Sequence, residues 1–142
     1  MPSSTETNFA SQKVMDYVLK GTTFTRPTNF YLALFTTTPA LDGTGGVEVS
    51  TSGTGYGRVV IDSATGWSAA TGVNMTYTNT GDLTFGLPTA NWGTIVSAGL
   101  FDASTAGDLW FISNLSVPRA VNNGDGQPKI AIGQLSVSRA IC

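Results

Sequence analysis

The chain has 142 residues, a formal net charge of −2 and an isoelectric point near 4.7, and only 11% of its residues are charged. Because its arginines and lysines form no basic run, we expect no nucleic-acid partner. No apolar stretch reaches the roughly 18 residues that a membrane span requires, so we expect no membrane insertion. With no histidine and one cysteine, the sequence also lacks the commonest general base and metal ligand, and we expect no metal and no cofactor.

The length predicts a single domain over residues 1–142. The patterns described below predict that this domain is a β-sandwich, with residues 3–20 as an N-terminal helix or arm. The polar start of the chain shows no secretory signal, which indicates synthesis in a cytosol, where disulfides are rare. The single cysteine, Cys142, is the last residue. It is either an exposed terminal thiol or the half of an intersubunit disulfide.

Residues 3–20 form the one convincing helical pattern. The spacing Ser3-x-x-Glu6 predicts a capping box, with Asn8 as the rival N-cap, and Gly21 is placed to end the helix. Apolar pairs at i,i+4 spacing form a stripe: Val14 with Val18, and Met15 with Leu19. This stripe packs either on the protein's own sheet or on a neighbouring subunit.

From Asn29 onward, short apolar runs alternate with glycine- and proline-rich turns, which predicts many short strands. The predicted strands are residues 30–36, 47–49, 58–61, 83–85, 94–101, 109–113, 129–132 and 134–139. Val73, Met75 and Tyr77 alternate as in a further, half-buried strand. Residues 102–107 predict the turn of a hairpin. The pattern is typical of an all-β, antiparallel, jelly-roll-like sandwich with one N-terminal helix.

Side chains suited to catalysis are scarce. Four of the nine carboxylates stand beside glycine at predicted turns. The glycine-rich pieces at 43–46 and 53–57 do not open a helix as a phosphate-binding loop does. We therefore expect no enzymatic activity. Leu32, Leu34, Val60, Leu100 and Phe111 are the predicted core anchors, together with Trp110, which stands in a strongly apolar strand.

Two sets of side chains are candidates for a functional role. Trp67, Trp92 and Tyr56 stand near Gly, Ser and Asn, where aromatic rings can stack on sugars or contact another subunit. Glu48 and Arg58 flank the glycine-rich loop, and we expect them to pair across its base and to fix the loop.

The order of several landmarks resembles a known family. These landmarks are Tyr31 to Thr36 with Pro39, Gly45-Gly46-x-Glu48-Val49, Tyr56-x-Arg58, Trp92-Gly93-Thr94, Gly99 to Ala103, and Pro118 followed by Gly124-Asp125. Over most of residues 10–138 the series resembles a family of small tailed-bacteriophage structural proteins, often labelled tail-fibre-like. The terminal residues 139–142 do not match this pattern.

The resemblance implies a virion component without catalytic residues, made in the host cytoplasm before assembly. It implies self-association, with a trimer favoured, and contact with coat or tail proteins. Two placements are open, namely a capsid decoration protein and a tail or fibre subunit. The alternative function is a carbohydrate-binding adhesion module that recognises a host surface glycan through its aromatic residues.

Overall fold

The computed structural model describes residues 5–139, and within them the chain forms one α-helix and ten β-strands. The helix is α1 (Asn8–Lys20). The strands in chain order are β1 (Thr5–Glu6), β2 (Asn29–Thr37), β3 (Val47–Glu48), β4 (Val59–Asp62), β5 (Tyr77–Thr78), β6 (Leu83–Thr84), β7 (Gly93–Phe101), β8 (Leu109–Val121), β9 (Lys129–Ile130) and β10 (Ser136–Val137). The described elements confirm an all-β fold with one N-terminal helix.

A six-stranded antiparallel sheet forms the first layer of the fold. Its order is β1-β8-β7-β2-β3, and β4 also pairs with β2. At its centre Leu32 lies opposite Leu100, which in turn lies opposite Phe111. The predicted hairpin is confirmed as β7 and β8, and β8 continues past the predicted end at Ser113 as far as Val121.

Two short antiparallel ribbons form the second layer, and they pair β5 with β10 and β6 with β9. The core lies between the sheet and these ribbons. Its buried members include Leu32 and Leu34 from the sheet, and Leu83, Phe85 and Leu135 from the other layer. Burial of these side chains is the dominant force that holds the two layers together. The predicted antiparallel sandwich is confirmed.

The helix begins later than the sequence pattern predicts for residues 3–20. Thr7 is the N-cap, and its hydroxyl accepts a 3.3 Å hydrogen bond from the backbone N–H three residues on. Asn8 is the first helical residue, and Glu6 lies in β1, so both predicted caps are wrong. The two-residue strand β1, which pairs with β8, lies where the first turn of the helix was predicted. The predicted end is confirmed, since Gly21 has the left-handed conformation of a C-cap, with φ of 67°.

Two further predictions are corrected by the topology. Residues 72–75 form a turn instead of a half-buried strand: Val73 is 80% exposed and Met75 has a φ of +46°. Val60 is 53% exposed, because successive side chains of a strand point to opposite faces and Val60 points away from the core, whereas its neighbour Ile61 in β4 is 3% exposed. Val60 is therefore not a core anchor. No helix in residues 5–139 has the length and the apolar composition needed to cross a membrane.

Candidate functional site

The ion pair predicted between Glu48 and Arg58 is present. The Arg58 guanidinium donates from Nη2 to Glu48 Oε2 at 2.8 Å and from Nε to Glu48 Oε1 at 2.9 Å. The Arg58 side chain is only 7% exposed, whereas that of Glu48 is 25% exposed. This two-point geometry fits the planar guanidinium and fixes the relative position of β3 and the start of β4. Its effect on the glycine-rich loop stays a prediction.

Arg58 also holds the turn between β7 and β8. Its Nη1 donates to the carbonyl oxygens of Ala103 at 2.8 Å and Ala106 at 2.7 Å. Its guanidinium carbon lies 3.6 Å from the ring centroid of Phe101, at the distance of a cation–π contact. One buried arginine therefore joins β3 and the start of β4 to the turn between β7 and β8, whose carbonyl groups lie 45 and 48 positions further along the chain.

Tyr56 and Trp92 lie in the core, each 5% exposed. The Tyr56 hydroxyl donates to Glu48 Oε1 at 2.9 Å and accepts from the backbone N–H of Leu34 at 2.9 Å. Burial raises the pKa of this phenol above its ordinary value of 10.0, so it stays a neutral donor. Trp92 packs edge-on against Tyr56 with centroids 5.3 Å apart. We correct the expectation of a stacking platform for these two residues, because their rings are not accessible.

Trp67 is placed differently from the other two candidate aromatic residues. It is half-buried, packs against the core with one part of its ring, and borders an open groove of about 310 Å³. Phe30 and Phe111 from the sheet and Tyr77 from the β5–β10 ribbon border the same space. We call this space, with its four aromatic residues, the aromatic groove.

The aromatic groove contains a few polar groups and no charged side chain among the described residues that border it. Ser63 Oγ is shielded from solvent and has no hydrogen-bond partner. Ser68 Oγ accepts from the backbone N–H of Thr78 at 3.0 Å. A second recess of about 450 Å³ adjoins the groove and shares Tyr77 and Phe111 with it.

The aromatic groove could not be predicted from the sequence, except for Trp67. Tyr77 belongs to a segment that the pattern predicts as a longer strand, and its partner Val137 lies 60 positions away in β10. No local signal indicates that these segments pair and leave an opening beside the sheet. The groove is a result of the tertiary arrangement.

A second surface feature is the apolar side of α1. Met15, Val18 and Leu19 are 45%, 67% and 71% exposed, and they occupy one side of the helix in its second half. We call these three residues the exposed helix face. The first half of the helix is anchored instead, because Ala10 is buried and the Phe9 ring meets Trp110 edge-on at 5.3 Å.

Three carboxylates accept hydrogen bonds, and two of them, Asp42 and Asp82, stand beside glycine. Asp42 accepts from the hydroxyl two residues further on, and Asp62 accepts from the backbone N–H of Thr65, each within a turn. Asp82 accepts from the Lys129 ammonium across the β6–β9 ribbon. These hydrogen bonds lower the pKa of each carboxyl below its ordinary value of 3.8. In residues 5–139 no three potential ligands are grouped as a metal site would require. Cys142 lies outside the described residues.

A comparison with known families gives a match that spans almost the whole chain. The model of the family described as podophage GP4 fiber I protein gp80 matches residues 5–138. This range contains the core, the Glu48–Arg58 pair, the aromatic groove and the exposed helix face. No curated protein is similar enough to the chain to count as a match.

Proposed function

The chain belongs to the podophage GP4 fiber I protein family, a family of phage fibre structural proteins found in the virion, and from this premise we propose a specific role. The protein is a non-enzymatic structural subunit of a tailed-phage fibre that acts through contacts with neighbouring subunits. It is made in the host cytoplasm and enters the particle at assembly.

The exposed helix face is the observation that carries this proposal. Met15, Val18 and Leu19 form one apolar stripe on the second half of the helix, and all three side chains are exposed. Contiguous exposed apolar surface of this kind marks interaction sites in soluble proteins. The stripe is thus suited to docking on a neighbouring subunit, which is one of the two alternatives that the sequence leaves open.

The energy available from this surface is sufficient for a repeated contact. Complete burial of a Val, Leu or Met side chain is worth about 1.5–3 kcal/mol. Since the three side chains are 45–71% exposed, further burial would contribute about 1–2 kcal/mol each. A contact of this size is weak alone, but it becomes effective when several copies meet in one assembly.

We propose that the neighbouring subunit is a second copy of this chain and that the assembly is a trimer. Low charge supports self-association, because only 11% of the residues are charged and like-charge repulsion between copies is small. The closed symmetry typical of soluble homo-oligomers would place the same helix face at every interface.

We further propose a fibre placement instead of capsid decoration, and the family description supports this choice. A fibre subunit has to bind a tail component at one end of the assembly. Purified protein would therefore bind isolated tails that lack it and leave empty shells unoccupied. Stoichiometric uptake onto shells would instead show a decoration role.

Light scattering coupled to size-exclusion chromatography tests the assembly. We expect the wild-type protein to elute at three times the monomer mass of 14.8 kDa. Leu19→Glu and Val18→Glu place a charge in the interface and should yield monomers with unchanged circular dichroism. Thr84→Glu is the matched control, since it adds the same charge at an exposed position opposite Lys129 in the other layer.

Two results would contradict the proposal. One is a wild-type protein that stays monomeric at high concentration and does not bind tails. The other is an oligomer whose mass is unchanged by both glutamate variants, which would show that a different surface makes the contact.

A further inference from the structure

We propose that Asn123 is a site of spontaneous deamidation, a reaction in which the protein's own backbone converts a side-chain amide into a carboxylate. Asn123 precedes Gly124 in the turn that follows β8. It is the only one of the eight asparagines in the sequence that precedes glycine. The reaction needs water and no partner protein, so the proposal does not depend on the fibre role.

The reaction begins when the Gly124 backbone nitrogen attacks Cγ of the Asn123 side chain. Hydroxide removes the proton of this nitrogen, a C–N bond forms, and the side-chain amide nitrogen leaves as ammonia after it takes a proton from water. Water then opens the resulting five-membered succinimide ring at one of its two carbonyl groups. One opening gives aspartate, and the other gives isoaspartate, in which the main chain runs through the former side chain. Glycine favours the attack because it has no Cβ atom to crowd the approach.

The two reacting groups lie at the exposed tip of the turn. None of the hydrogen bonds in the described part of the chain uses the Asn123 side chain or the Gly124 N–H. Gly124 has a φ of +90°, and a Cβ atom built on it would meet nothing within 4 Å, so the space around its backbone is open. The flanks of the turn are fixed, since the Asp125 N–H donates to the Asn122 carbonyl at 3.1 Å and the Asn123 N–H donates to Asn91 Oδ1 at 2.8 Å. Exposed loop tips of this kind are where local movement is easiest.

Other asparagines lack this combination of features. Asn79 is 1% exposed, its Nδ2 donates to two carbonyl oxygens, and its Oδ1 accepts from the Leu135 N–H at 2.9 Å. Asn91 and Asn114 each accept a hydrogen bond through Oδ1. They precede tryptophan and leucine, whose side chains hinder attack by the backbone nitrogen.

Two aspartates that precede glycine are less reactive than Asn123 at neutral pH. Aspartate can form the same ring, but an ionised carboxylate is a poor electrophile and has no good leaving group. Hydrogen bonds from the hydroxyl and the N–H of Thr44 hold the pKa of Asp42 below its ordinary value of 3.8, so this group is ionised. Asp125 Oδ2 accepts a 2.7 Å hydrogen bond from the backbone N–H of Asn122. The neutral amide of Asn123 is therefore the group that reacts.

Deamidation adds charge to a surface that carries little. Either product adds one negative charge per copy to a chain whose net charge is −2, in the same turn as Asp125. The isoaspartate product also inserts one carbon into the main chain, between the two ends of the hydrogen bond from Asp125 to Asn122. In an assembly of several copies, like-charge repulsion would therefore increase as the protein ages.

Peptide mapping by mass spectrometry tests the proposal on the folded, full-length protein. During incubation for days, the peptide that contains Asn123 should gain the mass difference between an amide NH2 and a hydroxyl group. It should also separate into an aspartate and an isoaspartate form on chromatography. The rate should be higher at pH 9 than at pH 7, because hydroxide removes the proton of the attacking nitrogen. Asn123→Gln should abolish the mass gain, since the longer side chain closes a six-membered ring much more slowly.

Asn122→Gln is the matched control, because it removes the neighbouring asparagine of the same turn and keeps Asn123 before Gly124. Its mass gain should equal that of the wild-type protein, and circular dichroism should show that every variant is folded. A folded wild-type protein in which Asn123 stays intact at pH 9 would overturn the proposal. If the urea-unfolded chain reacts and the folded chain does not, the turn protects the site and the proposal is wrong as well. A mass gain that persists in Asn123→Gln would place the reaction at another residue, with the same consequence.

Discussion

Replacement of Arg58 by alanine is the most informative single change in this chain. The variant leaves Glu48 with the Tyr56 hydroxyl as its remaining side-chain partner. It also removes the donor to the carbonyl oxygens of Ala103 and Ala106, and the cation above the Phe101 ring. Three segments lose their common contact at once.

The expected loss of stability follows from the burial of the pair. Removal of one partner from a buried ion pair costs about 3–5 kcal/mol, since the other charge stays behind without compensation. Glu48 is 25% exposed and can regain some hydration, so we expect a loss of about 3 kcal/mol. For a chain of this length, this corresponds to a fall of roughly 10 °C in the melting temperature.

Two measurements check this expectation. Urea denaturation gives the free energy of unfolding, and limited proteolysis reports on the loop of residues 40–57, which should be cut faster in Arg58→Ala. Arg58→Lys should recover only part of the stability, because lysine keeps the charge but not the two-point geometry. Arg26→Ala, at an exposed arginine, is the control and should stay within about 0.5 kcal/mol of the wild type. An Arg58→Ala protein with wild-type stability and unchanged loop cleavage would refute the argument.

Three further predictions concern the backbone, the core and acid stability. Gly55→Ala should prevent or severely weaken folding, because the φ of Gly55 is +74° and an added Cβ atom would lie 2.0 Å from a backbone oxygen. The control is Gly57→Ala, whose Cβ atom would meet no atom within 4 Å and which should be tolerated. Expression level and thermal unfolding are compared for the two variants. Leu32→Ala should cost about 2–5 kcal/mol in urea denaturation, and Val60→Ala, at an exposed edge position, much less. The pKa of Asp82 is lower in the folded protein than its ordinary value of 3.8, so the ionised carboxylate stabilises the fold at pH values above 3.8. This stabilisation is lost as the pH falls through the folded-state pKa. Asp82→Asn should therefore reduce the fall in melting temperature that is measured between pH 5 and pH 2.

Local patterns predicted much of the fold correctly. The apolar run at 30–36 and the hairpin of 94–101 with 109–113 form the central strands, because long apolar segments in strands are buried on both faces. Gly21 ends the helix because its left-handed conformation is available to glycine at little cost. The Glu48–Arg58 contact was predicted from opposite charges on either side of one loop, and the ion pair is present.

Features that depend on packing between distant segments were not predicted. Alternation of Val73 and Met75 resembles a strand, but a tight turn exposes both side chains. Val60 looks like a core residue in an apolar run, yet it lies on the outer face of β4, and its neighbour Ile61 is the buried residue. Tyr56 and Trp92 stand among glycines in the sequence, and only the tertiary arrangement shows that they fill the core. Burial is a property of the layer that covers a residue, and the local sequence does not specify that layer.

The helix shows why amphipathic character alone does not decide how a surface is used. The i,i+4 spacing of Met15 and Leu19 predicts an apolar stripe, and the stripe is present, but its side chains in the second half of α1 are largely exposed. An apolar stripe is equally compatible with packing inside one subunit and with packing between two. Met15, Val18 and Leu19 are exposed, and in the proposed assembly a neighbouring subunit would bury them. Under that proposal, the surface that completes the helix packing would be available only when the neighbouring subunit is in place.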